Sequence, residues 1–215
     1  MVSTSVILLL AAAGGYLLGA VPFGLVLTRL AGLGDIRKIG SGNIGATNVL
    51  RTGRKDLALL TVLLDALKAG IAAQIAYWLL PATPIDFFGF ATAENVAASL
   101  VAGAMGVIGH NFPIWLKFKG GKGVASTFGF ILFTDWPLAA AALLIWLFVA
   151  FTTRYSSLSA ITAAVAVPVL AFFTAAPVYV LVYSLIALLV LVRHHGNIRR
   201  LLNGSESKIS FKKNG

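Results

Sequence analysis

The chain has 215 residues, of which 59% are hydrophobic and only 11% are charged, and it carries a formal net charge of +10. Soluble domains are typically about 45–50% apolar and about 25% charged, so the composition indicates membrane spans rather than a large water-soluble core. Cysteine is absent, which excludes disulfides, a thiol nucleophile and a Cys-based metal site.

Seven apolar runs follow one another and predict an all-α integral membrane protein with seven transmembrane helices, forming one polytopic domain over residues 1–215. The first run has no charged residue over 22 positions and is longer than the apolar core of a signal peptide, so we expect a real helix, kinked at Pro22. The fourth run is short for a span, which usually needs about 20 residues. The runs cover about residues 6–27, 57–80, 95–109, 124–134, 138–153, 158–174 and 178–192.

The basic residues divide sharply between the two ends of these runs. Of the 17 Lys and Arg residues, 15 fall in segments 32–56, 110–123 and 153–157 and in the tail from 193, whereas the intervening loops hold none. By the positive-inside rule the basic side is cytoplasmic, which places the N-terminus outside and the C-terminus inside. The net positive charge is therefore mainly an orientation signal and not evidence for nucleic-acid binding.

The first polar stretch, residues 40–51, is rich in glycine and hydrogen-bond donors and ends at Arg51. Its Gly-Ser-Gly-Asn-Ile-Gly segment matches the dinucleotide-binding pattern, but no strand precedes it and Asp65 lies inside an apolar run, so we reject that interpretation. A loop whose backbone N–H groups meet a phosphate remains one hypothesis, and an ordinary turn between helices is the other.

Two further polar stretches lie on the same predicted side. In Lys-Phe-Lys-Gly-Gly-Lys-Gly (117–123), glycines flank Lys122, which favours close approach to an anion; interfacial anchoring explains Lys117 and Lys119 equally well. The stretch His-His-Gly-Asn-Ile-Arg-Arg (194–200) is either the anchored end of the last helix or part of a site. A metal site is the weaker alternative there, because adjacent histidines do not readily converge on one ion.

Several polar residues within or beside the apolar runs have two interpretations. Asp65 and Lys68 are three residues apart and share a helix face, so we expect an intramembrane ion pair that is either structural or functional. Ser157 and Ser159 are either helix caps or phosphate ligands. Three glycines in the third run, at 103, 106 and 109, predict a face for close helix packing.

Taken together, these stretches resemble the bacterial acyl-phosphate:glycerol-3-phosphate acyltransferases, the PlsY family. The resemblance rests on four segments in order: Ser-Gly-Asn-Ile-Gly-Ala-Thr-Asn-Val-Leu-Arg (41–51), Leu-Asp-Ala-Leu-Lys (64–68), Gly-His-Asn-Phe-Pro with Lys-Phe-Lys-Gly-Gly-Lys-Gly-Val-Ala (109–113 and 117–125), and His-x-x-Asn-Ile-x-Arg-Leu (194–201). Segment 156–160, Ser-Ser-Leu-Ser-Ala, matches only in part.

The resemblance implies transfer of a fatty acyl group from acyl phosphate to the 1-hydroxyl of glycerol 3-phosphate, giving lysophosphatidic acid and phosphate. This would be the first acylation of bacterial phospholipid synthesis, at the cytoplasmic face of the inner membrane. The implied partners are the two substrates, the lipid bilayer and a soluble enzyme that produces acyl phosphate. No cofactor, metal or nucleic acid is expected.

The same resemblance assigns the site residues. The catalytic residues would be His194, Asn197, Lys122 and Arg51. The residues that bind the substrate phosphates would be Ser41, Gly42, Asn43, Thr47, Asn48, Arg51, His110, Gly120, Gly121, Lys122, Ser157, Ser159 and Asn197.

The mechanism expected from these residues is positioning with charge stabilisation. Either His194 or the leaving phosphate takes the hydroxyl proton, since no carboxylate lies in the three polar stretches. A transporter for an anionic solute is the rival class. Transporters often contain inverted repeats and a mid-membrane site, whereas this chain shows no repeat and gathers its polar residues at one face.

Overall fold

The computed structural model describes residues 3–40 and 42–209, which are largely helical. Short 3-10 turns cover Ile36–Lys38, Leu50–Thr52 and Ile114–Leu116. The helices and strands, in chain order, are α1 (Thr4–Gly19), α2 (Phe23–Leu30), α3 (Ala46–Val49), α4 (Lys55–Leu79), β1 (Pro84–Phe87), β2 (Phe90–Ala93), α5 (Glu94–Asn111), α6 (Val124–Thr134), α7 (Trp136–Thr153), α8 (Ser156–Thr174), α9 (Pro177–Arg193) and α10 (His195–Leu202).

Every predicted apolar run contains a helix, and among the described residues five helical segments are long and apolar enough to cross a membrane. They are α4, α5, α7, α8 and the pair of α1 and α2 taken together; α9 and α10, bent by 59° at their junction, make a sixth when counted as one span. At 11 residues, α6 is about 17 Å long at 1.5 Å per residue. The chain is thus a multi-pass membrane protein, and the count of seven spans stays a prediction.

The predicted kink at Pro22 is a complete break. Helix α1 ends at Gly19, and α2 begins at Phe23 immediately after the proline. Proline has no N–H and its ring clashes with the preceding turn, which favours a break at this position. The break leaves the carbonyl of Val21 outside any regular helix, where other groups can reach it.

The loop predicted between the second and third runs is a short β-hairpin. Strands β1 and β2 pair antiparallel, with Pro84 opposite Ala93 and Phe87 opposite Phe90. Phe88 and Gly89 form the turn with φ values of 53° and 82°. Such a turn normally selects Asn-Gly or Asp-Gly, and the absence of that signature explains why the sequence indicated only a loop.

The described residues form two compact units, one up to Asp135 and one from Trp136 onward. In the first unit α1, α4, α5 and α6 pack together, and in the second α7, α8 and α9 pack in sequence with α10 against α8 and α9. Within the first unit the backbones of α1 and α5 meet at Gly19 and Gly106, where a Cβ on Gly19 would overlap the Gly106 carbonyl. A Cβ on Gly109 would likewise overlap the carbonyl of Tyr16 in α1, whereas one on Gly103 would overlap the Phe130 ring of α6, so the predicted glycines allow close packing but against two different helices.

We expect Gly19→Ala to destabilise the first unit, because the added methyl group forces α1 and α5 apart, at a cost of about 1–3 kcal/mol. Gly14→Ala is the matched control on the same helix, since a Cβ there meets no atom within 4 Å. Helix propensity alone should make that control neutral or more stable by up to about 1 kcal/mol. Thermal unfolding of the purified proteins in detergent measures both, and equal midpoints would contradict the close-packing argument.

Candidate active site

A buried polar cluster in the first unit joins α4 to the end of α5. Lys68 Nζ lies 2.8 Å from Asp65 Oδ1, so the predicted ion pair is present, and both residues are at most 3% exposed. His110, in the last turn of α5, places its Nδ1 3.0 Å from Lys68 Nζ and 3.5 Å from Asp65 Oδ1. No sequence pattern predicts this junction, because His110 is 42 residues from Lys68.

Lys68 makes one further contact, to the broken segment between α1 and α2. Its Nζ donates to the carbonyl of Val21 at 2.9 Å. An ammonium group has three N–H donors, and Val21, Asp65 and His110 supply one acceptor each. The charge is therefore fully hydrogen-bonded although it is buried among apolar helices.

The glycine-rich segment after α5 folds back over the end of that helix. Gly121 N donates to the carbonyl of His110 at 3.0 Å, and Gly120 N donates to the carbonyl of Asn111 at 3.1 Å. A Cβ on Gly121 would overlap His110 Nε2, so only glycine allows the backbone to lie against the imidazole. We call residues 120–123 the glycine loop; it carries the half-buried Lys122.

Asn111 lies at the base of the glycine loop. Its side chain is fully buried, and neither amide atom has a hydrogen-bond partner among the described residues. The amide faces Gly123, where an added Cβ would lie 2.8 Å from Asn111 Oδ1. The loop therefore covers a polar group that sequence reasoning did not select.

The first polar stretch is held together by Asn48. Its Nδ2 donates to the carbonyls of Ile36 and Ile39 at 2.7 and 3.2 Å, so both amide hydrogens tie the stretch to the segment just before it. Asn43 Oδ1 accepts from Gly45 N at 3.1 Å, which shapes the turn before α3. These two asparagines order the loop in the structure, and their predicted contact with phosphate stays a prediction.

Arg51 is the exposed cation of this stretch. Its Nη1 lies 3.4 Å from Asn48 Oδ1, and within the described part of the chain it forms no ion pair. Gly42 and Thr47 are also exposed, and Ser41 lies outside the described residues.

By contrast, Arg29 and Arg37 both bond Asp35, which caps the 3-10 turn at Ile36–Lys38. Hydrogen bonds from Arg37 hold the pKa of the Asp35 carboxyl well below its usual value. The Asp35 carboxylate therefore pairs with Arg29 and Arg37 and not with Arg51.

In the second unit, His194 lies at the bend between α9 and α10. It is 2% exposed, and its Nδ1 lies 2.7 Å from the carbonyl of Val190. Because a carbonyl can only accept, Nδ1 carries the proton, and Nε2 of the neutral ring carries the lone pair. His195 is exposed, with Nδ1 2.9 Å from the carbonyl of Val192.

Glu206 organises the remaining polar residues of the second unit. Its Oε1 accepts from Ser157 Oγ and Asn197 Nδ2, both at 2.6 Å, and its Oε2 accepts from Arg200 Nε at 2.6 Å. Burial opposes ionisation of this carboxyl, but the bonds from Ser157, Asn197 and Arg200 outweigh it and lower the pKa of Glu206. The predicted ligand Ser159 instead donates to the carbonyl of Tyr155 within α8.

The C-terminal segment that carries Glu206 lies along the turn before α8. Ile209 N donates to the carbonyl of Arg154 at 2.7 Å, and Lys208 Nζ lies over the ring of Tyr155. Sequence reasoning missed Glu206 because it lies beyond the third polar stretch. Across residues 3–40 and 42–209, no group of three or more His, Cys, Asp or Glu side chains could hold a metal ion.

The lowered pKa of Glu206 makes the second unit sensitive to acid. A carboxyl whose pKa is depressed on folding adds stability above its unfolded pKa, and that stability is lost as the pH falls through the folded pKa. We expect the unfolding midpoint to drop as the pH falls below the ordinary glutamate pKa of 4.5, and to drop less in Glu206→Gln, which has no carboxyl to protonate. Parallel midpoint curves for the two proteins would contradict this role of the carboxylate.

Comparison with known proteins gives one consistent family. The family model described as glycerol-3-phosphate acyltransferase matches residues 9–204. The glycerol-3-phosphate acyltransferase of Rhodospirillum rubrum is 58% identical over 202 residues, covering 94% of this chain and 91% of the relative. That of Maricaulis maris is 53% identical over 207 residues, covering 96% of this chain and 89% of the relative.

Solved structures agree with the sequence comparisons. The crystal structure of PlsY, an integral membrane glycerol 3-phosphate acyltransferase, in its glycerol 3-phosphate form matches with a TM-score of 0.83 at 35% identity, covering 94% of this chain and 96% of that one. The lysophosphatidic acid form matches with a TM-score of 0.82 at 34% identity, covering 94% and 95%. The resemblance read from the motifs is thereby confirmed, and the chain belongs to the glycerol-3-phosphate acyltransferase family.

Proposed function

We propose that this protein transfers a fatty acyl group from acyl phosphate to the 1-hydroxyl of glycerol 3-phosphate, forming lysophosphatidic acid and inorganic phosphate. The observation that carries the proposal is the family match over residues 9–204, which includes all three polar stretches. The two similar crystal structures are a glycerol 3-phosphate form and a lysophosphatidic acid form, which supports glycerol 3-phosphate as the acceptor and lysophosphatidic acid as the product. In a bacterium this is the first acylation on the route to phospholipids.

The choice of acyl phosphate as donor follows from what the chain lacks and from the resemblance. The sequence contains no cysteine and no Gly-x-Ser-x-Gly segment, so it offers neither common nucleophile for a covalent acyl-enzyme. Acyl phosphate is a mixed anhydride and is already activated. The substrate hydroxyl oxygen attacks the acyl carbon, the bond from that carbon to the phosphate oxygen breaks, and phosphate leaves with the electron pair.

Both substrates are phosphate anions, and the proposed site meets them with cations and N–H donors. Arg51 is exposed and forms no ion pair within the described residues, which suits forked binding of a phosphate. Lys122 supplies a point charge on the glycine loop. We assign the remaining predicted ligands, including Ser41 and Asn197, to the same two phosphates.

His194 is the proposed proton acceptor for the attacking hydroxyl. Its bond to the Val190 carbonyl fixes the tautomer with the lone pair on Nε2, which is the form that a general base requires. The alternative acceptor is the leaving phosphate itself. We place the reaction at the cytoplasmic face of the plasma membrane, supported by the location of 15 of 17 basic residues on one side, with acyl phosphate supplied by a soluble enzyme.

The donor is tested with purified protein in detergent, glycerol 3-phosphate and a long-chain acyl phosphate. We expect lysophosphatidic acid and an equal amount of inorganic phosphate, and much slower product formation when the same acyl chain is offered as a thioester. Product formed in detergent, where no gradient exists, also separates an enzyme from a transporter. Turnover with the thioester but not with acyl phosphate would contradict the proposed donor.

The role of His194 as the proton acceptor is tested by substituting two neighbouring histidines in turn. Loss of a general base typically lowers kcat by about 10²–10⁴-fold, and we expect a loss in this range for His194→Ala. His195→Ala is the matched control: this ring is exposed and bonds the carbonyl of Val192, so the kcat of the variant should remain near the unsubstituted value. A loss of only a few-fold in His194→Ala would assign the proton to the leaving phosphate.

A further inference from the structure

Asp65 and Lys68 belong to none of the three polar stretches, yet they are the two charged residues buried in the middle of α4. Charged groups inside a membrane span are costly and usually functional. A buried ion pair is also weak support for stability, since apolar residues of similar size often stabilise as well or better. Packing alone therefore does not explain why this helix carries the pair.

The hydrogen bonds of Lys68 fix the chemical form of His110. The imidazole Nδ1 lies 3.0 Å from Lys68 Nζ and 3.5 Å from Asp65 Oδ1, and because an ammonium group can only donate, the shorter of these two contacts assigns Nδ1 as an acceptor without a proton. The proton of the neutral ring is then on Nε2. Asp65 accepts a second N–H of the same ammonium at 2.8 Å and so sets its position.

The opposite edge of the ring faces the glycine loop. Gly121 lies against Nε2 so closely that no side chain fits between them, and its N–H donates to the carbonyl of the same histidine. The position of Gly121 therefore depends on the position of the imidazole. Lys122, the next residue, is carried by that backbone.

We propose that Asp65 and Lys68 are positioning residues for the anion-binding loop: Asp65 fixes Lys68, and Lys68 holds His110 with Nε2–H directed at the glycine loop. In this form the Nε2–H of His110 faces the glycine loop and is not a base, so His110 acts on a substrate phosphate through the position of that loop. Asp65 and Lys68 act only through the histidine. The inference rests on the proposed function, because it assigns the glycine loop to the phosphate of glycerol 3-phosphate.

Steady-state kinetics with glycerol 3-phosphate and acyl phosphate test the role. For metal-ligating histidines, removing the outer partner typically costs about 10–100-fold in affinity or activity. By analogy we expect Lys68→Met to raise the KM for glycerol 3-phosphate by about tenfold, with a smaller change in kcat. The double variant Asp65→Asn with Lys68→Met leaves no unpaired buried charge and should show the same increase. The double variant can still be measured if the single Lys68→Met variant fails to fold.

Ser126→Ala is the matched control. Ser126 Oγ donates to the backbone carbonyl of Asp65 at 2.8 Å, so the substitution disturbs the same turn of α4 without touching the carboxylate. We expect a lower unfolding midpoint but an unchanged KM. A KM in the double variant equal to that of the unsubstituted protein would overturn the positioning role.

The tautomer is measured directly and without turnover. The protein contains three histidines, so ¹⁵N-histidine labelling in lipid nanodiscs with a His110→Gln variant assigns the signal of His110. We expect the Nε2–H form in the unsubstituted protein and a mixture of tautomers in the double variant. An Nδ1–H ring in the unsubstituted protein would overturn the inference, whereas absence of turnover in that protein would overturn only the proposed function.

Discussion

A buried ammonium group must find an acceptor for each of its three N–H bonds, and the apolar interior of a bilayer supplies none. Lys68 meets this requirement with three different parts of the first unit: the break after α1, its own helix α4 and the end of α5. The end of α5 therefore lies beside residue 68 of α4, which is 13 residues, or about 20 Å, from the first residue of that helix. The glycine loop that follows α5 therefore starts beside the middle of α4 and not beside its first residues.

Small residues make this arrangement possible. Lipid tails provide no hydrophobic force between helices, so α1 and α5 must gain their attraction from close backbone contact. The backbone of Gly19 contacts that of Gly106, and Gly109, the residue before His110, contacts the carbonyl of Tyr16. The close contact of the two backbones therefore continues to the residue before His110, and nearby Tyr16 Oη also bonds the carbonyl of Phe112 at 2.9 Å. Packing and polar chemistry are set by the same few turns of helix.

Hydropathy predicted the helices well because a span must be apolar along its whole length. The run expected at 57–80 is observed as Lys55–Leu79, and the one at 95–109 as Glu94–Asn111. The pairing of Asp65 with Lys68 was also predictable, since residues three apart share a helix face. Contacts between distant segments had no comparable signal: Lys68 with His110 and Ser157 with Glu206 are 42 and 49 residues apart. Periodicity specifies which face a residue occupies but not which helix lies opposite.

Two carboxylates that lie outside the three polar stretches have related roles in the separate units. Asp65 is linked to His110 through Lys68, and Glu206 binds Asn197 directly. Each acid contacts a donor-bearing residue of a polar stretch while remaining largely buried. A carboxylate exposed to phosphate substrates would repel them, whereas one enclosed by cations and amide donors orients those donors and contributes little negative field outside. Acidic residues can therefore serve an anion-binding protein when other side chains stand between them and the anion.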